Sequence, residues 1–142
     1  VEDRCSGWAI DRRIREVCAV SPQSKLAELT KTMTRGEASQ LVAALQANDG
    51  VARQILLETA QDLAFALSHV THLFHPEVIV LGGGVSLIGE PLRAEVARSL
   101  PQFIMEAFHP GPQVKLAGLG EDAVPVGALK LAALADVAIR KQ

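Results

Sequence analysis

The sequence holds two cysteines, Cys5 and Cys18. Two thiolates cannot complete a tetrahedral structural zinc site, and buried free thiols are expected ahead of a disulfide. No Gly-Lys-Ser or Gly-Lys-Thr occurs anywhere, which excludes a Walker-type phosphate loop. Charge of one sign is scarce too: 14 Lys and Arg stand against 16 Asp and Glu, for a formal charge of -2 and a pI near 6.1. That balance gives nucleic acid and anionic membrane no electrostatic reason to bind. No apolar run reaches the ~18 residues that span a bilayer, and the N-terminus lacks the basic-then-apolar order of a secretion signal. A cytoplasmic location is therefore the default expectation. No Ser-His-Asp or Cys-His arrangement can be argued, so nothing supplies a convincing catalytic base. The first residue is Val1 rather than Met, and the chain enters a helix at once; this reads as a domain cut from a longer protein.

What is present fits one domain with a real core: 142 residues, 15.1 kDa, 49% hydrophobic residues and a mean hydropathy of +0.22. Its centre is the stretch from His75 to Pro91. Val78 to Leu81 is a short aliphatic run led by β-branched residues, bounded by Pro76 and by glycines, and it predicts a parallel strand buried on both faces. Gly82, Gly83 and Gly84 then remove every Cβ at the carboxyl end of that strand, the edge at which ligands sit in open α/β sheets. A helix follows from about Gly89 to Leu100, and its free N–H groups would favour a phosphate nearby. The same glycines also serve an ordinary tight βα turn. A dinucleotide fingerprint is absent, because Leu87 stands where its third glycine would fall.

Elsewhere the apolar periodicity predicts a helix over residues 6–17 through Trp8, Ile10, Ile14 and Val17, with Ser6 as its N-cap. A turn over 19–24, a short helix over 25–29, a polar turn over 30–36 and a helix over 37–47 come next. Asn48, Asp49 and Gly50 stop that helix and cap the longest one, over 50–74. Beyond the glycine turn, helical structure is expected to end near Phe108, a second strand to occupy 114–117, and a closing helix to run over 124–139 with Pro125 in its first turn. Strand-helix-strand-helix after several helices is half of an α/β fold.

His69, His72 and His75 stand three apart, but His75 precedes Pro76 and is pushed from helical geometry. Surface placement and helix capping explain them better than a metal site, which lacks a carboxylate in step. Glu2 and Asp3 open the chain; a carboxylate there ordinarily favours a helix dipole, with a functional role for Glu2 as the alternative. Asp49 and Asp122 read as capping residues.

With these pieces placed, the chain resembles the C-terminal part of the ROK family, the bacterial sugar kinases and sugar-responsive repressors of the actin-like ATPase superfamily. Val1-Glu-Asp-Arg-Cys-Ser-Gly is similar to the family's Leu-Glu-x-x-Ala-Ser-Gly, and Asn48-Asp-Gly-Val-Ala to its Gly-Asp-x-x-Ala. His75-Pro-Glu-Val-Ile-Val-Leu-Gly-Gly-Gly is similar to Asp/His-Pro-x-x-Ile-Val-Leu-Gly-Gly, and Val124-Pro-Val-Gly-Ala to the Gly-Ala that opens the last helix. The resemblance implies an α/β fold: one lobe of an actin-like ATPase (ribonuclease H-like), helix-rich with few strands, with residues 1–142 as the C-terminal nucleotide-binding lobe. It implies that Gly82, Gly83 and Gly84 lie against the nucleotide, that Glu2 accepts hydrogen bonds from sugar hydroxyls, and that Gly127 sits near the nucleotide or is merely packed. ATP with Mg2+ is the implied cofactor, and a glucokinase or N-acetylhexosamine kinase the implied parent. The family's aspartate base, its Asp-x-Gly-x-Thr loop and its zinc ligands would all precede residue 1, and Cys5 replaces a small alanine, so this fragment alone is expected to be inactive.

Two other readings compete. One is the effector-binding and dimerisation domain of a sugar-responsive repressor of the same family, which the unbroken glycine triplet disfavours. The other is a helical interaction domain whose glycines only make a turn. Self-association is expected in any case, since the long helices carry more aliphatic surface than one short sheet covers.

Overall fold

The computed structural model describes residues 1–139. A single helical turn, α1 (Glu2–Cys5), leads into α2 (Gly7–Val20), which Ser6 caps by accepting the Ala9 N–H on its Oγ at 3.3 Å. Ala9, Ile10 and Ile14 are the buried face of α2. Trp8 falls off that stripe, half exposed, with the Arg12 guanidinium 5.2 Å from its ring centre. The helix also runs on through Ala19, past its predicted end, because no breaker comes before Pro22.

Helix α3 (Lys25–Thr30) is capped by Ser24. The next predicted helix divides into a 3-10 turn, Glu37–Gln40, and α4 (Leu41–Gln46). Asn48 turns the chain in the left-handed conformation, and Asp49 caps α5 (Gly50–Phe74) through the Ala52 N–H at 2.9 Å. The second Asp49 oxygen accepts the Leu26 N–H at 3.1 Å, tying α3 to α5. Burial raises the Asp49 pKa; hydrogen bonds from Ala52, Leu26 and neighbouring backbone N–H groups overcome that and hold it below its ordinary value. Along α5 the buried residues Ala52, Ile55, Leu56, Thr59, Ala60, Ala64, Ser68 and Thr71 recur at helical spacing. His75 ends the helix in the left-handed conformation, its N–H bonded to the Thr71 carbonyl.

Strands β1 (Val78–Leu81) and β2 (Gln113–Leu116) pair in parallel, Ile79 opposite Val114 and Leu81 opposite Leu116. Between them α6 (Glu90–Ser99) packs on α5 and on β2, supplying Leu92 and Val96 to the core. It ends at Ser99, where the 3-10 turns Leu100–Gln102 and Glu106–Phe108 replace the longer helical segment that the sequence predicts; Pro101 allows no regular continuation. The expectation that β1 is buried on both faces is corrected. Ile79 and Leu81 are buried, but Val78 and Val80 are 41% and 59% exposed, because helices cover one face of the sheet. The closing helix α7 (Ala123–Ile139) packs on the turn before it, Gly120–Asp122, and leaves Val124, Leu129 and Leu131 exposed. No helix among the described residues is long and apolar enough to cross a membrane.

Candidate functional site

Only one of the three glycines at the end of β1 is demanded by the backbone. Gly83 has φ +78° and ψ -176°, a region that side chains strongly disfavour. Gly82 could carry a Cβ in ordinary contact, 3.6 Å from that of Ala117. Gly84 could carry one with no heavy atom within 4 Å and no left-handed φ. Nothing among the described residues requires a glycine at Gly84, and its missing side chain leaves open space beside the backbone.

Gly84 lines two clefts. The first, about 510 Å³, places Glu2 and Ser6 with Leu67, Gly82, Gly84 and Ser86. Its position follows from α1 and α2: Ser6 caps α2 and joins it to α1, while Arg4 and Arg13, one from each helix, both reach Asp62 on α5, at 2.9 and 3.1 Å. The Glu2 carboxylate is thus carried to the carboxyl end of β1, about eighty residues away in sequence. The second cleft, about 430 Å³, is mostly aliphatic; Ile10, Val42, Val85, Leu87 and Ile88 line it together with Asp11, Gly36, Ala38 and Ser39. Sequence reasoning misses this cleft. Asp11 reads there as one more charge on the polar face of α2, and Gly36 as one more turn residue.

The helix after the glycines differs from expectation. A 3-10 turn, Gly84–Ile88, intervenes, and α6 begins with its own acidic residue, Glu90, paired with Arg93. The N–H groups nearest the glycine edge therefore belong to the short turn, in which Ser86 donates both its N–H and its hydroxyl to the Gly83 carbonyl at 3.0 and 2.7 Å. Gly127 lies half-buried in α7, with open space where a Cβ would stand, and lines neither cleft.

The remaining candidates have other occupations. Cys5 and Cys18 are free, and burial above all raises the pKa of each thiol, with the Asp62 charge adding to it at Cys5. His69 Nδ1 lies 3.0 Å from the Phe65 carbonyl, His72 Nε2 accepts the Met105 N–H at 3.1 Å, and His75 stacks on Phe108. Among the described residues no group of three His, Cys, Asp or Glu side chains could hold a metal ion, so these residues offer no built site for the implied Mg2+.

A model of the ROK family matches residues 1–135. The chain belongs to the ROK family. It is 30% identical over 131 residues to the glucokinase of Thermotoga maritima, covering 92% of this chain and 41% of that protein. It is 35% identical over 103 residues to the bifunctional enzyme NanE/NanK of Brucella melitensis, of which it covers 18%. A ROK family glucokinase from Streptomyces griseus, crystallised with glucose and AMPPNP, matches with a TM-score of 0.82 at 28% identity, over 92% of this chain and 43% of that one. A further solved structure, from Cytophaga hutchinsonii, matches with a TM-score of 0.77 at 16% identity and bears on the fold alone. The ROK chain is thus a helix-rich α/β unit of the actin-like ATPase fold, as its sequence resemblance implies, and it spans less than half the length of these relatives.

Proposed function

We propose that this ROK chain is the C-terminal nucleotide-binding lobe of an ATP-dependent sugar kinase, of glucokinase or N-acetylhexosamine kinase type. The observation that carries the reading is the sharing of Gly84 by two clefts, one that Glu2 lines and one lined by Ile10, Val42, Leu87 and Ile88. A phosphoryl transfer needs a polar acceptor and a nucleotide brought to one point. In this reading the base lies in the aliphatic cleft, the phosphates pass Gly82, Gly83 and Gly84, and Glu2 accepts hydrogen bonds from sugar hydroxyls. Directional contacts of that kind discriminate hydroxyl stereochemistry. The general base that takes the hydroxyl proton lies outside this chain, and Mg2+ would be held by the phosphates and by groups beyond the described residues. Glucose and AMPPNP in the Streptomyces griseus relative support both ligand classes. Self-association belongs to the same proposal, with the uncovered sheet face around the exposed Val78 as its apolar surface.

The test is ADP release by the full-length protein with Mg-ATP and a panel of glucose, N-acetylglucosamine, N-acetylmannosamine and other hexoses. Turnover with one or more sugars is expected, and Glu2→Gln should lower kcat/KM for the sugar by about 10²-fold or more, the loss of one charged hydrogen-bond acceptor. Sugar binding without turnover would replace this reading with the repressor, and binding of neither ligand with the interaction domain.

A further inference from the structure

We propose that Asp11 is a positioning residue for the nucleotide base, holding residues 36–38 as one wall of the aliphatic cleft. The inference rests on the kinase reading above and deepens it. Asp11 follows the fully buried Ile10 on α2, so its backbone is anchored in the core. One carboxylate oxygen accepts the Gly36 N–H at 2.9 Å and the other the Ala38 N–H at 2.7 Å. These are charge-assisted bonds, short and directional. One helical turn along α2, Arg15 Nη1 donates to Glu37 Oε1 at 2.6 Å, and Glu37 is buried. Two side chains of one helix therefore grip three successive residues.

The gripped segment needs the help. Gly36 is in the left-handed conformation at φ +77°, and the segment is a 3-10 turn rather than a full helix. Ser39 spends its hydroxyl locally, donating to the Gly36 carbonyl at 2.6 Å. Opposite stands the turn Gly84–Ile88, which brings Val85, Leu87 and Ile88 to the same cleft. A flat base is held by two walls at a fixed separation. One wall is the turn Gly84–Ile88 that follows β1, and the other is the segment that Asp11 ties to α2. Both oxygens of that carboxylate already accept backbone N–H groups, so its part is to set the width of the slot.

Asp49 is the matched control, because it also accepts two backbone N–H groups but lines neither cleft. AMPPNP affinity, the KM values for ATP and sugar, and Tm would be measured for the full-length protein and for its Asp11→Asn and Asp49→Asn variants. Asp11→Asn replaces one acceptor with an NH2 that cannot take the N–H. It is expected to weaken AMPPNP binding and raise the KM for ATP about ten-fold, the worth of one charged hydrogen bond, with kcat and sugar KM within about two-fold. Asp49→Asn should lower Tm but leave AMPPNP affinity within about two-fold. Unchanged AMPPNP affinity in Asp11→Asn, or an equal loss in Asp49→Asn, overturns the positioning role while leaving the kinase reading in place. A wild-type protein that binds no AMPPNP overturns both. Independently of any variant, AMPPNP should slow hydrogen exchange at the Gly36 and Ala38 amides in the wild-type protein; bound nucleotide with no such change would also count against the proposal.

Discussion

If the proposed function holds, replacing Gly84 with alanine should make the protein slightly more stable and abolish AMPPNP binding. A Cβ at Gly84 meets no heavy atom within 4 Å, and the residue has no left-handed φ to be strained. The substitution therefore costs nothing in the folded state and removes backbone freedom from the unfolded one, a gain of about 0.4–1 kcal/mol. Gly83→Ala reverses the sign. At φ +78° and ψ -176° a side chain is strained by about 1–3 kcal/mol, with no clash needed. The methyl of Gly84→Ala instead adds bulk at a residue that lines both clefts, where in the proposed function the phosphates pass closest to the backbone. Thermal denaturation of the full-length protein with and without AMPPNP reads both quantities at once. The apo Tm of Gly84→Ala should equal or exceed that of wild type, and its rise on adding AMPPNP should vanish. Gly83→Ala should melt lower from the outset. A destabilised Gly84→Ala would refute the claim that nothing among the described residues needs this glycine. Retention of the full AMPPNP-dependent rise would refute the claim that the vacancy serves a ligand.

Three other outcomes follow from single groups. The folded Asp49 carboxyl titrates below its ordinary 3.8, so its stabilisation is complete above about pH 5 and is lost as pH falls through 3.8 toward the lower folded value; Asp49→Asn should flatten that limb of a stability-pH curve and cost about 1 kcal/mol at neutral pH. Burial raises the Cys5 pKa above its ordinary 9.0, so at pH 8 the native protein should label with iodoacetamide far more slowly at Cys5 than the urea-unfolded chain does; equal rates would show that the thiol is accessible and ionisable. Val78, 41% exposed on the uncovered sheet face and lining neither cleft, should accept lysine without loss of helical content, and Val78→Lys should reduce self-association in sedimentation; an unchanged profile would remove this face from the contact.

The local rules read this chain well wherever one residue governs a boundary. Ser6 and Asp49 cap the helices they were expected to cap, and α5 runs over residues 50–74 as its periodicity and the Asn48-Asp49-Gly50 signal require. Errors appear where tertiary contacts decide. Periodicity alone cannot tell that Trp8 pairs with Arg12 at the surface instead of joining Ile10 and Ile14 in the core. A run of four aliphatic residues cannot tell whether one face or two will be covered, and in β1 the alternation of exposed Val78 and Val80 with buried Ile79 and Leu81 is set by where α5 and α6 pack. Gly82, Gly84 and Glu2 are visible in the sequence as separate signals. Their union in one cleft is not, because it depends on the Arg4 and Arg13 contacts that seat α1 and α2 on Asp62.

The same distinction explains why Asp11 escapes notice while Asp49 does not. Both carboxylates accept two backbone N–H groups, and both tie together segments remote in sequence: Asp49 joins residues 26 and 52, Asp11 joins α2 to residues 36 and 38. Asp49 stands before a helix, where a side-chain oxygen has a standard partner three residues on, and its role follows from the sequence. Asp11 stands in mid-helix, where an aspartate ordinarily faces solvent, and its partners lie twenty-five and twenty-seven residues away. A mid-helix carboxylate that gives both oxygens to the backbone of a left-handed turn is a device for fixing that turn, and the turn here is a wall of the cleft at Gly84. In the proposed function Glu2 recognises the polar ligand, and in the further proposal Asp11 sets the shape of the neighbouring cleft. Substitution at the first should therefore be felt in the sugar constants and at the second in the nucleotide constants, a separation that steady-state kinetics with both substrates varied can resolve.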